Sequence, residues 1–306
     1  MNEPTAVFAL APIQRLQRSR ARQIHTLLQP DAAQSGTARV GVQAGLEYAV
    51  AHHLLEGAEV AARAYDQDTF AWYTRTSAAG PTGLHTPTTV GLRIILAPDL
   101  IDLSRSKISE TPYVLISPAT TSAPQELCEL AASAFSVAAE AGFGTLLAGH
   151  AAIVVVLRRK QLGDTLDSWT ITRLPGTVFA DHVDEPAVLA RDLVHEAGHN
   201  WLNDGLAACG VKISDEMRFF SPWKRTIRSA FGFLHACWAF PLTMIFTARV
   251  LDELSDPVRA FMTAYLVQQR DLLAATDGDH ARALALLPDD DLRQRLHHVH
   301  QTARDL

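Results

Sequence analysis

Residues 151–157 read Ala-Ala-Ile-Val-Val-Val-Leu, an unbroken β-branched run with no polar position. A strand with one wet face alternates apolar and polar residues, so a strand without alternation must be covered on both faces. The chain therefore needs helices on both sides of a small sheet, and its texture supplies them. Residues 12–30 read as a helix closed by Pro30, and residues 38–73 as a helical block. In that block Leu46, Ala49, Val50, His53, Leu54, Gly57 and Val60 form one apolar stripe. Val90–Ala97, Glu110–Ser117, Ser168–Thr172 and Thr177–Ala180 read as short strands, with a turn at Pro175-Gly176. Pro124–Ala141 is an Ala-rich helix ending at Gly142, and from Pro186 onward the pattern is helical, broken around 205–230. Pro257–Asp305 should hold two or three helices.

The expected fold class is α+β and predominantly helical: a helical N-terminal block, a small central sheet, and a helical C-terminal half carrying a metal site on a helix. A jelly-roll is not expected. The Gly-, Pro- and Thr-rich stretch Ser77–Thr89 reads as a loop and the best subdomain boundary, giving residues 1–85 and 86–306 as two parts of one compact unit. With 306 residues, 48% hydrophobic and 20% charged, the chain is neither disordered nor too short for a large core.

The formal charge of −6 makes non-specific nucleic-acid binding a poor reading. Cys128, Cys209 and Cys237 are too few and too scattered for a disulfide framework or a CxxC metal site, which points to a reducing, cytoplasmic compartment. Phe231–Phe246, an uncharged apolar stretch of 16 residues, contains His235 and Pro241. A spanning helix needs about 20. Met1–Pro12 lacks the basic start of a secretory signal, and Arg15, Arg18, Arg20 and Arg22 read as an exposed helix face.

The chemistry concentrates in His195-Glu196-Ala197-Gly198-His199, an HExxH motif inside the helical pattern Pro186–Leu202. Residues i and i+4 differ by about 40° around a helix, so both imidazoles leave one face and can share a metal, while Glu196 stands beside them. The metzincin extension is excluded, because its Gly and His positions hold Leu202 and Gly205. Two candidates remain for a third ligand. One is Glu216, 17 residues after His199 in Ser214-Asp215-Glu216-Met217-Arg218. The other is His235, near the start of an apolar helix that follows Ser221-Pro222-Trp223 and the cations Lys224, Arg225 and Arg228. A peptidase has no need of an arginine beside its metal. A dicarboxylic co-substrate does, because the guanidinium fork matches a carboxylate. Trp201, Phe219, Phe220, Trp223 and Trp238 are candidates either for the pocket wall or for the core.

From Leu174 to Phe240 the order LPG, LVHEAGH, SPW, Arg228, GFLHACWAF resembles the family of HExxH motif-containing peptide modification proteins, which act on ribosomally made peptides. The resemblance implies an iron(II)- and 2-oxoglutarate-dependent peptide β-hydroxylase that consumes O2, with a precursor peptide as partner and substrate. It matches His195, His199 and His235 to the metal histidines, Glu196 to the motif glutamate and Arg228 to the co-substrate arginine. Arg225, Trp223 and Ser221 of the same segment join Arg228 as co-substrate candidates. Family members tend to carry a D-P-R-P-like run where this chain reads Thr226-Ile227-Arg228-Ser229. The alternative is a zinc-dependent peptidase or hydrolase with Glu196 as general base. Two further histidine groups read as structural: His182-Val183-Asp184 as part of a polar loop, Asp181–Glu185, entering the helix at Pro186, and His297, His298 and His300 as a solvated face of the last helix.

Overall fold

A computed structural model describes residues 5–29, 44–81, 83–99, 114–214 and 216–306. Pro30, residues 38–43 of the second helical block and residues 110–113 of one expected strand lie outside these.

The chain folds as expected into a mostly helical α+β structure. Helices α1 (Thr5–Phe8), α2 (Ala11–Leu28), α3 (Ala44–Arg63) and α4 (Gln67–Ala79) come first. They are followed by β1 (His85–Thr88), β2 (Gly91–Leu96), α5 (Gln125–Ala138), α6 (Gly144–His150), β3 (Ile153–Arg159), β4 (Ser168–Trp169) and β5 (Thr177–His182). The long helix α7 (Pro186–Ala208) leads to a hairpin, β6 (Arg218–Ser221) and β7 (Thr226–Ser229). Then come α8 (Ala230–Val250), α9 (Asp256–Ala274), α10 (Asp277–Leu284) and α11 (Asp290–Arg304).

The main sheet runs β1-β2-β3-β5-β4, with β2, β3 and β5 parallel and the two outer strands antiparallel. The run that demanded two covers receives them. Val154 and Val156, with Ile95, Val178 and Ala180, enter the core built with α5, α7 and α8. Ile153 and Val155, with Ile94, Leu96 and Phe179, enter the core built with α2 and α3. Each such fully buried side chain is worth about 1.5–3 kcal/mol relative to exposure.

Several expectations need correction. The second helical block is two helices, broken at Ala64–Asp66, where Tyr65 adopts φ 57° and Asp66 caps α4 by accepting from the Thr69 amide at 3.0 Å. The Gly/Pro/Thr-rich stretch is not all loop, because His85–Thr88 is an edge strand paired to β2. Edge position tolerates Pro87. Val114–Ser117 forms no strand. The Ala-rich helix continues past Gly142, at φ 89°, through a wide turn into α6. Arg15, Arg18 and Arg22 are exposed on α2 as expected, while Arg20 is half-buried and donates to the Tyr48 hydroxyl at 3.3 Å.

Two helical stretches, Gln125–His150 and Ala230–Glu253, are long and apolar enough to cross a membrane. The second is 89% buried within this fold and is core. The three cysteines are free.

Candidate metal centre

Helix α7 begins with Pro186 in its first turn, where the missing amide hydrogen costs nothing. It is buried on nearly every side, between β5, α5 and α8, so its few polar residues are held in fixed places. The glycine of the motif sets the approach of α8. A Cβ on Gly198 would stand 2.9 Å from Leu242 Cδ1 and 3.6 Å from Trp238 Nε1. That indole donates to the Gly198 carbonyl at 2.9 Å. Close crossing at this point brings His235, one turn before Trp238, against the motif.

The imidazoles meet in series. His199 Nε2 faces His195 Nε2 at 3.2 Å, and His199 Nδ1 faces His235 Nδ1 at 3.0 Å. Two nitrogens on one ion about 2.1 Å away are roughly 3.0–3.4 Å apart, so this spacing suits metal ligation. The tight group of candidate ligands among the described residues is His195, Glu196 and His199. His235 touches the other ring nitrogen of His199, so a three-histidine set requires one of those two rings to turn on loading. Glu216, the other candidate third ligand, is exposed in the loop after α7, not on a helix, and is not part of the group.

Burial governs the protonation of these groups. It drives His199 down to about 4, helped by the Arg228 cation. His195 and His235 lie well below the ordinary histidine range for the same reason, with His199 as the next cause in each. All three are neutral at pH 7 and offer lone pairs. Glu196 is pushed up to about 8 by burial, against a hydrogen bond from Ser168 Oγ to its Oε1 at 2.7 Å. Its Oε2 and the Nε2 of His235 are buried and have no hydrogen-bond partner. A buried polar atom without a partner calls for an explanation, and a ligand or ion shared by these two adjacent groups supplies one.

The hairpin borders the same site. Arg228 lies on the face of β7 shared with Phe219, packs within 3.2 Å of the Cβ position of Gly232, and its charge acts on His199 and His235. Lys224 acts in the same way on His195 and Glu196. Trp223 stacks on Phe240 at 4.7 Å, and Phe240 packs on His195 at 4.7 Å. The Trp223 indole donates to Gln269 Oε1 at 2.8 Å. Ser221 faces inward, with a buried Oγ that has no partner. Arg225 occupies the exposed turn at φ 49°.

Other aromatic candidates separate cleanly. Trp201 and Trp238 stack on each other at 4.6 Å in the core, and the Trp201 indole donates to the Phe8 carbonyl at 3.1 Å. Phe219 stacks on Phe233 in the interior, while Phe220 is exposed.

The remaining histidine groups are elsewhere. Asp184 is exposed and paired with Arg159, but the expected polar loop is only partly a loop: Asp181 and His182 are buried at the end of β5, and Val183–Glu185 make the turn into α7. The last helix does not present all three histidines to solvent. His300 is buried, stacks on His280 of α10 at 3.7 Å, and lies 3.1 Å from Thr276 Oγ1.

The sequence pattern missed Ser168, Phe231 (4.2 Å from the His235 ring), Phe240 and the Arg191–Asp192 pair. Arg191 reaches Asp192 Oδ1 at 2.7 Å while its guanidinium stacks on Tyr265 at 4.8 Å. Those two charges inside an otherwise apolar helical run were the available signal. Comparison with models of known protein families and with curated proteins finds no match to this chain.

Proposed function

We propose that the chain is an iron(II)- and 2-oxoglutarate-dependent oxygenase that hydroxylates a side-chain carbon, at the β position, of a ribosomally made peptide. The observation that carries this reading is the pairing of His235 with His199 beside a cation, Arg228, that has no acidic partner among the described residues. Three neutral imidazoles can hold a divalent ion with positions left open, iron or zinc alike, so the guanidinium is what points to the oxygenase. An uncompensated guanidinium beside it suits a dicarboxylate. The ordered motifs from Leu174 to Phe240 support the same assignment.

In this reading His195, His199 and His235 hold the iron through neutral ring nitrogens. When bound, iron and 2-oxoglutarate supply the oxidation, with O2 consumed, succinate and CO2 released and one oxygen atom placed on the substrate carbon. Arg228 holds the far carboxylate of the co-substrate, and the inward hydroxyl of Ser221 is available beside it on the hairpin. Glu196 is fixed by Ser168 and keeps its second oxygen, Oε2, for a hydrogen bond within the site. The Trp223–Phe240 stack excludes water on the His195 side.

One observation favours a second reading. The compact ligand group contains Glu196 itself, with an unpartnered oxygen and an affinity for protons near neutrality. In a zinc hydrolase that carboxylate would take a proton from the attacking water.

The test is succinate formation from 2-oxoglutarate. The oxygenase reading expects it to require Fe(II) and O2, to be lost in His195→Ala, and to need about tenfold or more co-substrate in Arg228→Ala. Iron-loaded protein that forms no succinate, together with peptide cleavage on zinc loading, would establish the hydrolase instead.

A further inference from the structure

The hairpin has an outer side that the metal site does not use. Phe220 and Ile227 are direct cross-strand partners on that side, 48% and 54% exposed. Phe231, 41% exposed, continues the apolar surface to the rim of the site, where its ring meets His235. Among the described residues no third strand pairs with either edge of the hairpin. Exposed apolar side chains on an open two-stranded ribbon are an invitation to strand addition.

Charge says what kind of strand. Arg218, Lys224, Arg225 and Arg228 all lie on the hairpin, and no acidic residue occurs between Glu216 and Asp252. None of the four has an ion pair among the described residues. By contrast, Arg158, Arg159, Arg173, Arg282, Arg293 and Arg295 each have a carboxylate partner. In a chain of net charge −6, four unpaired cations on one ribbon form a local field of the opposite sign.

We propose that the hairpin Arg218–Ser229 docks an extended acidic peptide with apolar side chains at alternate positions. Its backbone adds to the open edge, its apolar side chains cover Phe220 and Ile227, and its carboxylates meet Arg218, Lys224 and Arg225. This rests on the reading that the substrate is a peptide, and it places the bound strand beside His235. The oxygen chemistry is not needed for binding, so the two readings fail separately.

The test uses metal-free full-length protein and fluorescence anisotropy. The probes are a labelled peptide of alternating Glu and Leu, its alternating Lys and Leu counterpart, and a labelled single-stranded oligonucleotide. The expected result is salt-sensitive binding of the Glu peptide alone. The charge-reversed Arg218→Glu/Lys224→Glu protein should bind it about tenfold more weakly, and Phe220→Ser/Ile227→Ser should also lose affinity. All four positions are exposed, and the Lys peptide tests charge without altering the protein. Equal binding of both peptides, an unchanged affinity in the charge-reversed protein, or equally tight binding of the oligonucleotide would overturn the proposal. Peptide binding as expected, with no succinate formed by the iron(II)-loaded protein in the separate turnover assay, would leave the docking surface standing and remove the oxygenase.

Discussion

Two polar stretches lie two turns apart on α7 and are solved in opposite ways. At the C-terminal one, Asp204 is buried and both its oxygens are used. Oδ2 accepts from Gln17 at 2.9 Å, Oδ1 accepts from Tyr48 at 3.2 Å, and His150 Nδ1 stands 3.4 Å away. Asn200 likewise spends its amide on the carbonyls of His150 and Thr177, at 2.9 and 3.2 Å. These groups tie α2, α3, α6 and the sheet to α7. At the motif, Glu196 and His235 are as deeply placed yet each keeps an atom without a partner. In the first stretch Asp204 and Asn200 are satisfied by protein, although His150 Nδ1 beside them lacks a hydrogen bond among the described residues, and the stretch serves structure. The second is left open by protein and serves a ligand.

The sharpest way to break this contrast is to remove one carboxylate from each stretch. Asp204→Ala strands the Gln17 and Tyr48 donors and should cost about 3 kcal/mol or more in urea unfolding. Glu196→Gln should cost under about 1 kcal/mol, because the amide keeps the shape of the side chain and its oxygen still accepts from Ser168. Similar stability losses in both variants would erase the distinction.

Gly198→Ala should cost about 1–3 kcal/mol, because the added methyl presses Leu242 at the helix crossing. It should also weaken metal retention more than its stability loss explains, by moving α8 and His235 away from His199. Metal affinity measured by competition with a chelator checks this.

The His280–His300 stack sharpens the comparison by pH. Burial lowers His280 to about 3 and His300 to about 4. Asp277, Arg304 and His297 are the charged or titratable neighbours that also act on the pair. Below the unfolded value of 6.5 the unfolded chain takes up protons that the folded chain refuses, so stability falls as pH drops from about 6.5 toward 3–4. His280→Phe/His300→Phe should lose about 1–2 kcal/mol less than the parent per histidine replaced between pH 7 and pH 5, read from urea midpoints. The smallest effect is expected of Glu216→Gln, which should leave metal affinity unchanged.

Much of this was legible from residues. The run at 151–157 fixed a two-faced strand, and the spacing of His195 and His199 fixed a shared helix face. His235 was legible only as a candidate, because its distance from the motif depends on how closely two helices cross at Gly198. The hairpin was not legible as strands. Each arm is four residues, and Pro222 marks the turn more strongly than Phe219, Phe220 and Ile227 mark the arms. The break at Tyr65 was readable in the Asp66 cap but was masked by apolar periodicity on both sides. The solvated reading of the last helix failed at His300 because it sits one turn after Leu296 and beside Val299, on the buried stripe.

The most direct test of the central claim is the anaerobic visible spectrum of the iron(II)-loaded protein with 2-oxoglutarate, beside Arg228→Ala and His235→Ala. The account predicts a charge-transfer band that requires the co-substrate and weakens in both variants. Stoichiometric iron with no such band in the parent protein would contradict it.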